Sequence, residues 1–238
     1  MQPTVLLFDV DGTLVTTPGA GRRALERAFG RRFGSATALR GIHFGGMTDP
    51  AIVRAGLAAA GRVVEGAEGE ATIRDLLERD YLPLLAEEVA RADLRLHRGI
   101  REALDAVAGE PGVAVGLGTG NVRAGAEIKL TRVGVYERFA FGGFGCDHED
   151  RAELLRIGAA RGAALLGVPF GAARVVVIGD TPRDMAAARA IGATAVGVGT
   201  CGWTPARLRE HGATWAFDDL AEPGALAALL GSPGGVRQ

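Results

Sequence analysis

The sequence predicts an α/β fold in which a parallel sheet, covered by helices on both faces, carries an all-helical insertion. Three observations lead there. Short apolar runs at residues 5–10, 113–117, 139–141, 174–178, 194–198 and 214–217 alternate with helical patterns at 98–109, 122–133, 150–166, 182–191, 205–211 and 220–230. The runs are strand-sized and nearly continuous in apolar residues, as in strands buried on both faces. The alternation then stops between about residues 15 and 96, where no segment reads convincingly as a strand.

Local chemistry supports each element. Pro182 suits the first turn of its helix, where the missing N–H has no helical partner, and Gly192 sits just past that helix's end. Within the interruption, helical patterns at 19–33, 48–60 and 69–90 are separated by glycine-rich loops at 41–46 and 61–69. This divides the chain into a core, residues 1–14 and 97–238, and a helical domain, residues 15–96. Two short crossings, 13–18 and 91–98, are its expected hinges. At 238 residues the chain is long enough for both parts. The Gly/Pro-rich tail, 231–238, is expected to fray.

Bulk composition narrows the function. A formal net charge of −1 gives no electrostatic footprint for nucleic acid or for a membrane surface. No apolar run approaches the roughly 20 residues that span a bilayer. No leader-like segment precedes the first strand. Cys146 and Cys201 lie far apart in no metal-type spacing, so free thiols in a reducing cytoplasm are expected. The chain should act on a small molecule, as a monomer or homodimer. Of its 27 basic residues only Lys129 is a lysine. Codon bias replaces Lys by Arg wherever either serves, so the survivor draws attention to sites where a compact charge matters. Trp203 and Trp215 read as core residues.

In open parallel sheets ligands bind beyond the carboxyl ends of the strands. After the first strand stands Asp9-Val10-Asp11-Gly12-Thr13, after the second Gly118-Thr119-Gly120-Asn121, and after the fourth Gly179-Asp180-Thr181-Pro182-Arg183-Asp184. Three loops rich in acids and small residues therefore converge on one sheet edge. Their carboxylates would repel one another without a cation among them, and an all-oxygen set suits Mg2+. A Gly-flanked Thr opening a helix suits phosphate, because backbone N–H groups and the helix dipole favour an anion there.

With these motifs in this order, the chain resembles the haloacid dehalogenase-like hydrolase superfamily. Residues 8–14 look like its first motif, Thr119 falls at the second, and residues 179–184 at the fourth. The helical stretch matches the family's cap in position. Within the superfamily the chain looks most like the phosphoglycolate phosphatase-like and phosphoglucomutase-like branch. The resemblance implies a Rossmann-like core, Mg2+, and an inserted all-α cap that closes over the substrate.

The same resemblance implies roles. Asp9 is the expected nucleophile. Asp11 is the expected acid and then base, which calls for a pKa raised from about 3.9 towards the working pH. Mg2+ would lie on Asp9, the Asp11 main-chain carbonyl and Asp180, with Asp184 supporting it from behind. Thr119 and the Gly120 N–H would hold a phosphoryl oxygen, with Asn121 beside them. The third motif departs from the family, for residues 147–151 contain no lysine. Lys129 is the favoured phosphate-neutralising cation and Arg151 the alternative. In the cap, Thr48 or Asp49 would cap a helix or touch substrate, and Arg22 or Arg23 could meet a second anionic group.

The reaction implied is hydrolysis of a small phosphate ester, such as phosphoglycolate or a sugar phosphate. Asp11 and the acidic turn at 180–184 argue against a dehalogenase. A cap without lysine argues against Schiff-base phosphonoacetaldehyde chemistry. A phosphosugar mutase and a non-catalytic phosphate-binding module are the competing readings.

Overall fold

A computed structural model describes residues 2–231, and the tail beyond 231 lies outside the described residues. In chain order the elements are β1 (Thr4–Phe8), β2 (Val15–Thr16), α1 (Ala20–Phe33), α2 (Asp49–Ala59), α3 (Gly66–Asp75), a π-helical stretch (Leu76–Tyr81), α4 (Leu82–Arg91), β3 (Arg95–Leu96), α5 (Ile100–Val107), β4 (Val113–Thr119), α6 (Arg123–Arg132), β5 (Phe141–Phe144), α7 (Arg151–Leu165), β6 (Arg174–Gly179), α8 (Pro182–Ala190), β7 (Thr194–Val198), α9 (Pro205–Glu210), β8 (Trp215–Phe217) and α10 (Ala225–Leu230).

Six strands form one parallel sheet in the order β5-β4-β1-β6-β7-β8. The side-chain period of two sends alternate residues of β1 to opposite faces. Leu6 and Phe8 join a core layer with Ile100, Leu104 and Leu130, from α5 and α6. Val5 and Leu7 join the other layer with Leu154, Leu155, Met185 and Leu208, from α7, α8 and α9. The fold is thus an α/β Rossmann-like sandwich.

The helices between β2 and β3 bury a third apolar cluster of their own, including Leu25, Phe29, Ile52, Leu57, Leu76 and Leu84. Val122 and Ile128, at the start of and within α6, pack against this cluster from the sheet side. Leu82 is followed by Pro83, which has no N–H to give the preceding turn and whose ring crowds it. The helix widens there, and the Leu82 N–H reaches back to the Leu77 carbonyl.

Three expectations need correction. The interruption is not without strands, because Val15 pairs with Leu96 and Thr16 with Arg95 in a short antiparallel ribbon. Two-residue strands carry too little pattern to be read from sequence. The strand expected at 139–141 lies at Phe141–Phe144. Its Gly142-Gly143 pair has little β-propensity, yet glycine is required, since a Cβ on Gly143 would run into the Leu154 carbonyl of α7. The last helix begins at Ala225, not 220. Pro223 disfavours a helical conformation at Glu222, and Gly224 takes a left-handed φ of 91°.

Close approach of α7 to β5 sets the position of everything at the start of α7. A Cβ built on Gly158 would lie 2.8 Å from the Gly143 nitrogen, a backbone atom that cannot swing aside. Gly158→Ala should therefore lower the urea midpoint, with a loss of about 1–3 kcal/mol from overpacking. Helix propensity alone predicts the opposite sign, a gain of up to about 1 kcal/mol, so the direction of the shift is decisive.

Candidate active site

β4, β1 and β6 are neighbours in the sheet, so the loops leaving their carboxyl ends meet. Asp9 follows β1, and its N–H donates to the Ile178 carbonyl of β6 at 2.9 Å. The turn after it closes through Gly12 N–H to Val15 O and Leu14 N–H to Val10 O. Gly12 has a φ of 84°, and a Cβ there would collide with the Asp180 carboxylate. Only glycine lets the two loops approach this closely.

Asp180 ends β6 and accepts a hydrogen bond from the buried Thr13 hydroxyl at 3.0 Å. Asp184 closes a capping box at the start of α8: its Oδ2 accepts from the Thr181 N–H at 2.9 Å and from the Thr181 hydroxyl at 2.6 Å. Asp184 is fully buried. Asp9, Asp180 and Asp184 each present an oxygen within 4.8 Å of the others.

Burial chiefly pushes the Asp9 carboxyl up to about 6, helped by Asp184 and Asp11 and opposed by Arg151. Burial likewise drives Asp180 well above the usual carboxylate range, with Asp184 and Asp9 adding repulsion. Arg151, the first residue of α7, answers part of this charge. Its guanidinium nitrogen lies 3.1 Å from Asp9 Oδ1 and pairs also with Asp184 Oδ1. The angles of these pairs leave Arg151 Nε, its terminal nitrogen and Asp184 Oδ1 without a well-formed hydrogen bond. Three crowded, buried carboxylates with an unsatisfied oxygen among them fit a hard divalent cation such as Mg2+.

Asp11 faces the other way. Its Oδ1 accepts from the Thr17 hydroxyl at 2.9 Å, and its Oδ2 from the Asn121 amide at 2.8 Å and the Lys129 ammonium at 2.5 Å. The ammonium also donates to Asn121 Oδ1 at 2.5 Å, and the Asn121 amide to the fully buried Thr119 hydroxyl at 3.0 Å. Burial works to raise the Asp11 carboxyl, but Lys129 and the bonds from Asn121 and Thr17 outweigh it and hold the group below its ordinary value. The raised pKa expected from sequence is thus replaced by a lowered one, because the sole lysine lies against Asp11. Lys129 is buried in the site and Arg151 nearly so, and they lie on different carboxylates.

Gly120, Asn121, Lys129, Arg151 and Arg22 line a cavity of about 490 Å³ with Asp9, Asp11 and Asp180. Residues 45–49 form its roof and are tied to the core. Arg183 donates to the Gly45 carbonyl at 2.5 Å, and the Asp49 N–H to the Gly120 carbonyl at 2.7 Å. The Thr48 hydroxyl accepts from the Ala51 N–H as an N-cap and donates to the Glu149 carbonyl at 3.0 Å. It holds the roof down and does not line the cavity. The Arg22 guanidinium bonds the Leu39 and Ile42 carbonyls and stacks 3.9 Å over Phe44, while Arg23 pairs with Glu88. Trp203, expected in the core, is only partly buried and lines the cavity. A second cleft, about 740 Å³, lies between α3 and α6 and holds none of the three clustered acids.

These motifs and their arrangement lead to a comparison with known proteins, in which residues 3–192 match the haloacid dehalogenase-like hydrolase family. The chain belongs to that family. No curated protein matches the chain in sequence. Solved structures of the same fold are similar over nearly the whole length. CbbY from Rhodobacter sphaeroides, in complex with phosphate, has 22% identity over 96% of this chain and 99% of its own, with a TM-score of 0.66. A predicted phosphoglycolate phosphatase from Haemophilus somnus has 18% identity over 93% and 96%, with a TM-score of 0.63. A HAD family hydrolase from Deinococcus radiodurans, with bound phosphate and sodium, has 24% identity over 96% and 97%, with a TM-score of 0.54.

Sequence reasoning did not single out Tyr81, Thr13 or Thr17. Tyr81 stands in a helical run with no motif around it, and the threonines read as turn formers. For the acid cluster, the raised Asp9 pKa has a measurable consequence in this hydrolase. A group that ionises near 6 holds a proton below that pH and must lose it to ligate a metal. Mg2+ affinity should fall as pH drops through about 6, with proton release on binding, in calorimetric titrations run in buffers of different ionisation enthalpy.

Proposed function

We propose that this hydrolase is a Mg2+-dependent phosphomonoesterase that acts on a small phosphorylated metabolite through an aspartyl-phosphate on Asp9. The observation that carries the reading is the cavity at the sheet edge, where Asp9 faces a buried cation beside two further buried acids. Bound phosphate in the Rhodobacter and Deinococcus proteins of the same fold supports it.

The Asp9 carboxylate attacks phosphorus, and the Asp9–phosphorus bond forms as the bond to the ester oxygen breaks. Asp9, Asp180 and the Asp11 main-chain carbonyl would hold Mg2+, with Asp184 behind them, and the ion would supply charge neutralisation at the phosphoryl oxygens. Thr119, with the Gly120 N–H, provides fixed donors for those oxygens, where charge spreads in the transition state. Asp11 gives its proton to the leaving oxygen, then takes one from the water that hydrolyses the acyl phosphate and frees Asp9. Lys129 keeps Asp11 ionised in the empty cavity. An arriving phosphoryl dianion adds negative charge beside Asp11 and shifts it towards the protonated form it needs as an acid.

The cation beside the phosphoryl group is assigned to Arg151, against the sequence preference for Lys129. Arg151 reaches Asp9, whereas Lys129 is taken up by Asp11 and Asn121. Lys129 instead tunes the acid–base group.

Phosphate release from an aryl phosphate with Mg2+ tests the reading, with Asp9→Asn as control. Turnover should vanish in that variant while the melting curve persists, and Mg2+ binding should weaken without being lost, because Asp180 and the Asp11 carbonyl remain. Arg151→Ala should lower kcat by about 10²–10³ at all pH values. Lys129→Ala should instead move the alkaline limb of the kcat/KM profile upward, because Asp11, which must be protonated for the first step, loses the charge that depresses its pKa. Activity in Asp9→Asn would end the nucleophile assignment.

A further inference from the structure

The cavity lining also carries chemistry that the acid cluster does not use. Leu25, Phe44, Met47, Ile52 and Trp203 line it, and so do two further polar side chains, Asp49 and Tyr81, which lie near Asp11. Asp49 is 6% exposed and Tyr81 1%. The Asp49 Oδ2 accepts the Val122 N–H at 2.8 Å, and Oδ1 is given no protein donor. The Tyr81 hydroxyl has no protein partner among the described residues. It lies 3.6 Å from the point where a Cβ on Gly21 would sit, and the Lys129 ammonium lies 3.8 Å from the same point. The phenol and the ammonium thus face the same point over Gly21, with the Asp49 carboxylate near both. Buried polar groups of this kind need partners.

The charges lining the cavity restrict what those partners are. Asp9, Asp11, Asp49 and Asp180 face three cations, Arg22, Lys129 and Arg151. Each cation is already engaged: Arg151 by Asp9 and Asp184, Lys129 by Asp11 and Asn121, Arg22 by the Leu39 and Ile42 carbonyls. A dianionic phosphoryl group would absorb the charge of Mg2+. No lining cation is left for a second anionic group, which would lie against the Asp49 carboxylate in a buried setting.

We infer, resting on the phosphatase reading above, that the alcohol released is neutral and carries a hydroxyl. That hydroxyl donates to Asp49 and is held by the Tyr81 phenol, as in the monophosphate of a polyol or a sugar. A carboxylate-bearing ester or a bisphosphate is disfavoured, and so is a phosphosugar mutase, whose intermediate carries a second phosphate.

Three esters of matched size test this by inorganic phosphate release with Mg2+: 2-hydroxyethyl phosphate, ethyl phosphate and phosphoglycolate. The wild type should rank them in that order in kcat/KM, with at least about tenfold between the first and the last, the scale of one unpaired buried polar group. Asp49→Asn keeps an oxygen for the Val122 N–H and removes the like charge. It should raise phosphoglycolate relative to 2-hydroxyethyl phosphate by about tenfold. Tyr81→Phe should lower the hydroxyethyl ester and leave ethyl phosphate unchanged relative to the wild type. A wild-type preference for phosphoglycolate, or an equal fall on all three esters in Asp49→Asn, would overturn the inference and leave the phosphatase reading standing. No release from these esters or from an aryl phosphate would overturn the phosphatase reading, and this inference with it.

Discussion

Repulsion among three buried carboxylates is the constraint around which this molecule is arranged. Asp9, Asp180 and Asp184 are drawn to one sheet edge because β1 and β6 are adjacent and parallel. Their proximity costs free energy that neither burial nor solvent relieves. The surroundings respond at several points. Thr13 donates to Asp180, Thr181 holds one Asp184 oxygen in a helix cap, and Arg151 lies across Asp9 and Asp184. What these leave unsatisfied could hold a divalent cation. Asp184 shows the economy of the arrangement: one oxygen fixes the start of α8, and the other faces the cluster.

The two buried cations divide the work according to their shapes. An Arg fork reaches two carboxylates at once, and Arg151 bridges acids supplied by different loops. A Lys ammonium is compact and fits a narrow space. Lys129 sits between Asp11, Asn121 and the backbone of Gly21, which a broader guanidinium would crowd. Its retention in an arginine-rich chain therefore has a steric reason. Both cations pull down the pKa of the carboxylate they pair with: Lys129 and its neighbours hold Asp11 low, whereas Arg151 does not overcome the burial that raises Asp9.

The helical insertion completes the cavity without adding to the acid cluster. Its residues 45–49 meet the core through backbone carbonyls and N–H groups, and a Cβ on Gly120 would strike the Met47 carbonyl. Bonds of this kind position a roof and are indifferent to the substrate. Beneath the roof the lining is completed by side chains from α1, α2 and the π-helical stretch.

Much of this was legible in the chain itself. Apolar runs of strand length, separated by helical periods, determined a parallel sheet, and acids placed just after those runs determined where chemistry would gather. Asp9, Asp11 and Asp180 could be placed together because each stands at or just after a strand end, and the structure brings all three to one cavity. Tertiary structure decided the rest. The short strands β2 and β3 and the glycine-bearing β5 depend on partners distant in sequence, so no local period marks them. Whether Lys129 faces Asp9 or Asp11 depends on which side of α6 meets the sheet edge. The exposure of Tyr81 to the cavity depends on a widened helical turn before Pro83. Contacts of that kind are set by packing between segments, and pattern along one segment carries no record of them.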